Sequence, residues 1–230
     1  MKYEVIIFDA DGTLFDFEKA ERYALEMSMN HYRYEYDEKK HLSKYKKHNN
    51  AVWNDFEKER ISAKDLKIER FRRFFEEMGM SIDPSPFSLK YMDFLKEGSF
   101  LLKGAAELVR DLHKDFRLVM LTNGLSAVQN VRIRNSSIAH YFEDIIISEE
   151  VGVAKPNTKI FSHTLEKIKY IDKDKIVIIG DSLKSDIKGG NDFGIDTIWY
   201  NPKKQENKTD IISRYEVETF KELKEMLYKR

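Results

Sequence analysis

Cysteine is absent from the 230 residues, which excludes disulfides, thiolate-held metals and a cysteine nucleophile together. Metal chemistry here has to use oxygen or imidazole ligands. A surplus of either charge is absent too. The 40 Lys and Arg side chains are matched by 40 Asp and Glu, so no overall field draws the chain to nucleic acid or to an anionic membrane. Any anion site is therefore local. A long hydrophobic run is missing as well: the apolar stretch in "MKYEVIIFDADG" is cut by Asp9, too early for a signal peptide or a membrane span. Internal repeats, low-complexity segments and long linkers are not found. These absences lead to the expectation of a soluble, cytoplasmic protein, built as one large domain or as a core with a smaller insertion.

What the chain does contain is a series of short apolar runs that stop abruptly at polar residues: "EVIIFD" at 4–9, "RLVMLTN" at 117–123, "DIIIS" at 144–148 and "KIVIIGD" at 175–181, with "DTIWYN" at 196–201 as a fifth. Unbroken apolar character marks strands buried on both faces, as in a parallel sheet covered by helices. Helical patterns lie between them, in 104–115, 126–142, 157–169 and 183–194. Alternating strands and helices predict an α/β fold with a doubly wound parallel sheet, a Rossmann-like core whose ligands sit at the carboxyl ends of the strands.

Residues 16–96 break the alternation. They hold no strand-like run, but helical periodicity appears in "EKAERYALEMSMNHY", "KKHLSKYKKHNNAVWNDFEKE", "SAKDLKIERFRRFFEEM" and "SPFSLKYMDFLKE", punctuated by Gly79, Pro84 and Pro86. An all-helical domain inserted after the first strand follows, with residues 1–15 and 97–230 forming the core.

The polar residues at the strand ends carry the chemistry. Asp9 and Asp11 flank Ala10, so in an extended chain both carboxylates point to one side. At ~4 Å and an effective dielectric of ~20 such a pair repels by about 4 kcal/mol, which calls for a cation or a shared proton. An isolated D-x-D is equally well read as one aspartate closing a turn and the other solvated. The other strand ends shift the balance, because "LTNG" adds Thr122 and Asn123, "VAKPN" adds Lys155 and "GDSLKSD" adds Asp181 and Asp186. Hard oxygen ligands favour Mg²⁺ shared with a phosphate. A hydroxyl, an amide, Lys155 and the backbone N–H groups of the Asp11–Gly12–Thr13 turn can hold the phosphate oxygens. One aspartate can then attack phosphorus to form an aspartyl-phosphate, while the other gives a proton to the leaving alkoxide and later takes one from the hydrolytic water.

In order along the chain, "DADGT", "LTN", "KP" and "GDSLKSD" resemble the four motifs of the haloacid dehalogenase-like hydrolase superfamily, and the resemblance covers nearly the whole sequence. It implies Asp9 as nucleophile and Asp11 as general acid/base, with Thr122 and Lys155 holding the phosphate. It implies Mg²⁺ bound by Asp9, the backbone carbonyl of Asp11 and Asp181, supported by Asp186. Thr13, Asn123 and Gly124 are further substrate-binding candidates at the same strand ends. Members that attack carbon lack an acid at the place of Asp11, so phosphate transfer is implied rather than dehalogenation.

A finer resemblance, in "NNAVWNDFEKERISAKDLKIERF", "LTNGLSAVQNVRIRNS" and "ISEEVGVAKPNTKIF", is to the nucleotidases of pyrimidine nucleoside 5′-monophosphates, including non-standard ones. Lys103 departs from the proline usual before Gly104, outside the four motifs. The inserted helices are then a mobile cap that excludes water and sets specificity. Asn50, Trp53 and Arg70, with Phe56 and Phe71, are its candidate nucleoside contacts, although aromatics at helical spacing more often form a core.

Other features read blandly. The tyrosines and basic residues of 31–50 suggest a nucleic-acid stacking surface, but Glu35, Asp37 and Glu38 interrupt it, as on a solvated helix face. Six histidines show no pair at helical metal spacing. In "KGGNDFG", Gly189, Gly190 and Gly194 fit close helix packing and a helix stop better than a dinucleotide loop. The expectation is a Mg²⁺-dependent 5′-nucleotidase, a monomer or homodimer without nucleic-acid or membrane partners. The alternatives are a phosphatase of the same fold acting on a sugar phosphate or other small metabolite, and a non-catalytic phosphate-binding module.

Overall fold

The computed structural model describes residues 2–58 and 60–229. The chain divides into two compact units, one formed by Met1–Phe17 with Ser99–Arg230 and the other by Glu18–Gly98.

The first unit is built on a six-stranded sheet: β1 (Val5–Phe8), β2 (Arg117–Thr122), β3 (Asp144–Ile147), β4 (Ile176–Gly180), β5 (Asp196–Tyr200) and β6 (Tyr215–Val217). The strand order is β3-β2-β1-β4-β5-β6, and each neighbouring pair is parallel. The apolar runs are buried on both sides because alternate residues feed two cores. Ile6, Phe8, Leu118, Met120, Val177 and Ile179 enter one, Val5, Ile7, Val119, Leu121, Ile176 and Ile178 the other. Helices cover both faces, which makes the sheet doubly wound, as its sequence pattern predicts.

The order of winding reverses between β1 and β4: β2 and β3 lie to one side of β1, β4 to β6 to the other. The carboxyl ends of β1 and β4 therefore flank the crevice where open α/β sheets bind ligands.

The second unit holds four helices, α1 (Phe17–His31), α2 (Glu38–Glu57), α3 (Ala63–Met78) and α4 (Pro84–Glu97), of which only Phe17 belongs to the sheet unit. Their ends are chemically marked. Ser62 and Asp65 form a reciprocal capping box at α3, Gly79 ends it in the left-handed conformation, and Asp83 caps α4 with Pro84 in its first turn. Inside, Phe71 lies 5.4 Å from the Tyr45 ring, 4.9 Å from Phe87 and 5.0 Å from Tyr91, all of them buried.

The core helices are α5 (Ala105–Leu112), α6 (Ser126–Arg134), α7 (Ser148–Val151), α8 (Thr158–Lys167), α9 (Lys188–Phe193) and α10 (Phe220–Tyr228). Two expectations need correction. The helix expected over 126–142 stops at Arg134, where the polar run Asn135–Ser136–Ser137 follows and Ser136 Oγ donates to the Ile133 carbonyl at 2.6 Å, competing with continuation of the helix. The helix expected over 183–194 opens with a wider π-type turn, Leu183–Ile187, before α9. Two further elements, β6 and α10, follow residue 201: β6 has no unbroken apolar run, while α10 is announced by Thr219 accepting from the Glu222 N–H at 3.2 Å. Among the described residues no helix is long and apolar enough to cross a membrane.

Two measurements probe the helical unit. Phe71→Ala removes the centre of its aromatic cluster, and the urea midpoint is expected to report a loss of about 3–5 kcal/mol. Glu21 is buried, receives a 2.9 Å bond from Asn49 Nδ2, and is pushed up to about 7 by that burial, against the opposing charges of Lys46 and Arg70. Because the folded state holds this proton more tightly than the unfolded chain, its contribution is complete below about pH 4.5 and is lost as pH rises through about 7. Glu21→Gln should therefore gain on the natural protein between pH 5 and pH 8, by on the order of 3 kcal/mol in paired denaturation curves.

Candidate active site

Sequence-marked residues from four strand ends meet in the sheet unit. Asp9 follows β1 directly, Thr122 ends β2, Lys155 follows α7, and Asp181 follows β4. Lys155 is buried, and its Nζ donates to Asp9 Oδ1 at 2.7 Å and to the Leu121 carbonyl at 2.6 Å, with Asp186 Oδ1 at 2.7 Å. Asp9, Asp181 and Asp186 each bring a carboxylate oxygen within 4.8 Å of the others.

Electrostatics decide what this cluster can hold. Burial works against the Lys155 ammonium, yet Asp186 and Asp9 outweigh it and raise its pKa above the ordinary lysine value. The surrounding protein and the nearby charges of Asp9 and Asp186 raise the Asp181 carboxyl, although the residue keeps an exposed face that moderates the rise. Burial likewise lifts Asp186 to about 6, although Lys155 pulls it down. With all three carboxylates ionised, one ammonium leaves two negative charges uncompensated, the amount one divalent cation cancels. All the donors are hard carboxylate oxygens, the set that suits Mg²⁺.

The surrounding residues brace the cluster. Asn123 holds the backbone of Lys155 from both sides, Nδ2 donating to its carbonyl at 2.8 Å and Oδ1 accepting its N–H at 2.9 Å. Thr13 is buried and donates to Asp9 Oδ2 at 3.3 Å. The Ser182 N–H donates to Asp186 Oδ2 at 3.0 Å, so the π-type turn aims Asp186 back at the cluster. Gly12 has φ +85°, and a Cβ there would stand 2.3 Å from Asp181 Oδ2, so only glycine fits between the two acidic segments.

Other candidates have different surroundings from those expected. The Gly12 N–H donates to the Phe15 carbonyl at 2.9 Å and is not free for a phosphate oxygen. The Asp11 side chain is outside the acidic triad: it pairs with Arg132 and accepts from Gln129 Nε2 at 2.8 Å. Gln129 also donates to Thr122 Oγ1 at 3.0 Å, the hydroxyl that accepts the Gly124 N–H at 3.3 Å. Gln129 and Arg132 belong to no motif; their i, i+3 spacing on the helix just after the Thr122 strand end is the one sequence cue to them.

In the helical unit, Arg70 is 2% exposed, with its guanidinium over the Phe71 and Tyr91 rings and Nη1 3.4 Å from Asn49 Oδ1. Arg70 and Phe71 thus sit in the interior of that unit, because the aromatic cluster encloses them. Asn50 is exposed, and Trp53 is half-buried, edge-on to Phe56 at 5.7 Å.

A family model described as haloacid dehalogenase-like hydrolase matches residues 3–194. The chain belongs to that family. Two relatives similar over essentially the whole length are the pyrimidine 5′-nucleotidase PynA of Streptococcus pneumoniae, 36% identical over 100% of this chain and 97% of its own, and the pyrimidine 5′-nucleotidase YjjG of Escherichia coli, 32% identical over 100% of both. Among solved structures, the HAD-hydrolase YfnB of Bacillus subtilis, crystallised with magnesium bound, superposes with a TM-score of 0.93 at 34% identity over 100% of both chains.

The family's strand-end cluster depends here on a buried ammonium. Lys155→Met leaves Asp9 and Asp186 without their counter-charge, and is expected to cost about 3–5 kcal/mol in urea unfolding with chelator present, so that no cation replaces the lysine.

Proposed function

We propose that the protein is a Mg²⁺-dependent phosphomonoesterase that hydrolyses pyrimidine nucleoside 5′-monophosphates through an aspartyl-phosphate on Asp9. The observation that carries this reading is Asp9 itself, a carboxylate held at 2.7 Å by Lys155 inside a triad of oxygen ligands, at the carboxyl end of the sheet's central strand. Substrate class is supported by the two full-length relatives that are pyrimidine 5′-nucleotidases.

Asp9, Asp181, Asp186 and the backbone carbonyl of Asp11 are the residues that would hold the cation. When bound, Mg²⁺ offsets charge on the phosphoryl oxygens and balances the acidic cluster. The chain's own groups do the rest. An Asp9 oxygen bonds to phosphorus as the phosphorus–alkoxide bond breaks, and Asp11 delivers its proton to the departing nucleoside oxygen. Asp11, now ionised, removes a proton from a water that attacks the same phosphorus, which frees Asp9 and inorganic phosphate. Lys155 and Thr122 hold the phosphoryl group, and Lys155 also fixes the attacking carboxylate. Thr13 and Asn123 act behind them, one on Asp9 and one on the Lys155 backbone.

Phosphate release from a panel of nucleoside 5′-monophosphates and sugar phosphates tests the proposal. Pyrimidine nucleotides should give the highest kcat/KM, chelator should abolish turnover, and Asp9→Asn should lower it below detection. Higher kcat/KM on sugar phosphates would move the substrate class to small phosphometabolites. Turnover indifferent to both chelator and Asp9→Asn would refute the mechanism.

A further inference from the structure

Asp11 is gripped from both sides by α6. Arg132 pairs with its Oδ1, and Gln129 Nε2 donates to its Oδ2 at 2.8 Å, so each carboxylate oxygen has one partner and the plane of the group is set. Both partners present only N–H donors toward Asp11, contacts that favour its ionised form, so the proton it delivers has to sit on a lone pair that neither partner uses. Gln129 spans Asp11 and Thr122, at 2.8 and 3.0 Å, tying the acid/base candidate to a phosphate-holding candidate through one amide.

The local structure makes room for this grip at a cost that folding alone does not explain. A Cβ on Gly124 would stand 2.2 Å from Gln129 Nε2, so the residue two beyond Thr122 has to lack a side chain for the amide to reach Asp11. Arg132 is fully buried over the rings of Phe15 and Phe17, with its guanidinium carbon 5.2 and 5.6 Å from their centroids. Its Nε and Nη1 are buried without partners, as is Gln129 Oε1. Leaving buried polar atoms unmatched opposes folding, and such groups call for another explanation. Ser99, where the chain re-enters the sheet unit, donates to the Arg132 carbonyl and anchors the end of the helix.

We propose that Gln129 and Arg132 are positioning residues that aim the Asp11 carboxyl at the leaving-group oxygen, so that losing them impairs esters in proportion to their need for a proton. The proposal rests on the phosphomonoesterase reading above. The departing group sets the demand: a nucleoside alkoxide needs the proton as its bond to phosphorus breaks, whereas 4-nitrophenolate departs as a stable anion.

The test compares kcat/KM, which reads the steps through phosphorylation of Asp9, on uridine 5′-monophosphate and on 4-nitrophenyl phosphate. Wild-type turnover of both, lost in Asp9→Asn, secures the underlying reading first; its absence would overturn that reading rather than the role of the pair. Arg132→Met is then expected to fall by roughly 100-fold on the nucleotide and by less than about threefold on the aryl ester, while Gln129→Met, whose amide also donates to Thr122 Oγ1, should lose on both esters but at least about tenfold more on the nucleotide. Asp11→Asn should show the same split as Arg132→Met, which added to Asp11→Asn should cause little further loss, as for groups acting as one unit. Arg132→Lys, which retains a cationic donor, should recover part of the nucleotide activity. Equal losses on both esters, or an Arg132→Met loss that multiplies with that of Asp11→Asn, would overturn the proposal. If Arg132→Met does not fold, Gln129→Met decides alone through the ratio of its losses on the two esters, since it keeps the side-chain length and takes the amide from both Asp11 and Thr122.

Discussion

One buried ion pair organises the sheet unit: the Lys155 ammonium against Asp9 and Asp186 at 2.7 Å each. Burying an unpaired carboxylate or ammonium costs several kcal/mol, so neither side of this contact is tolerable without the other. Three carboxylates, when ionised, against one ammonium still leave the cluster negative, a charge that a divalent cation would balance. Removal from water, with the charge of Asp9 added to it, raises the carboxyls of Asp181 and Asp186, and Lys155 pulls both back down.

Much of the nearby chain serves to hold that arrangement. Asn123 clamps the Lys155 backbone, the π-type turn after Ser182 returns Asp186 to the cluster, and Gly12 lets the first acidic segment approach Asp181. A second layer, from α6, holds Asp11 apart from the metal-type triad. The two aspartates separated by one residue thus have different neighbours: Asp9 faces an ammonium and two carboxylates, Asp11 a guanidinium and an amide. Different surroundings are what the proposed division into nucleophile and proton carrier requires of one residue type.

The interior of the helical unit is a cluster of rings. Tyr45, Phe71, Phe87 and Tyr91 pack at 4.9–5.7 Å, and Arg70 lies within them with its guanidinium over two of the rings. Helical spacing alone does not distinguish an aromatic residue facing that interior from one facing a ligand. Of the candidate nucleoside contacts, Arg70 and Phe71 face that interior, while Asn50 and Trp53, on α2, are at the surface or half-buried.

By itself the sequence determined the architecture and which polar side chains end its strands. Strands buried on both faces must be apolar without interruption, so β1 to β5 were legible with the polar residues that end them. Phosphoryl chemistry at those ends needs Asp9, Asp11, Thr122, Lys155 and Asp181, whose order along the chain is a local property. β6 was not legible, because a three-residue edge strand has no continuous apolar run, and the stop of α6 at Arg134 turns on polar competition for backbone bonds. Tertiary structure alone decided the partners. Whether Asn123 faces phosphate or the Lys155 backbone, and which groups grip Asp11, depend on segments distant in sequence meeting in space. Spacing along a helix gives the face a side chain occupies; only packing gives what lies across from it.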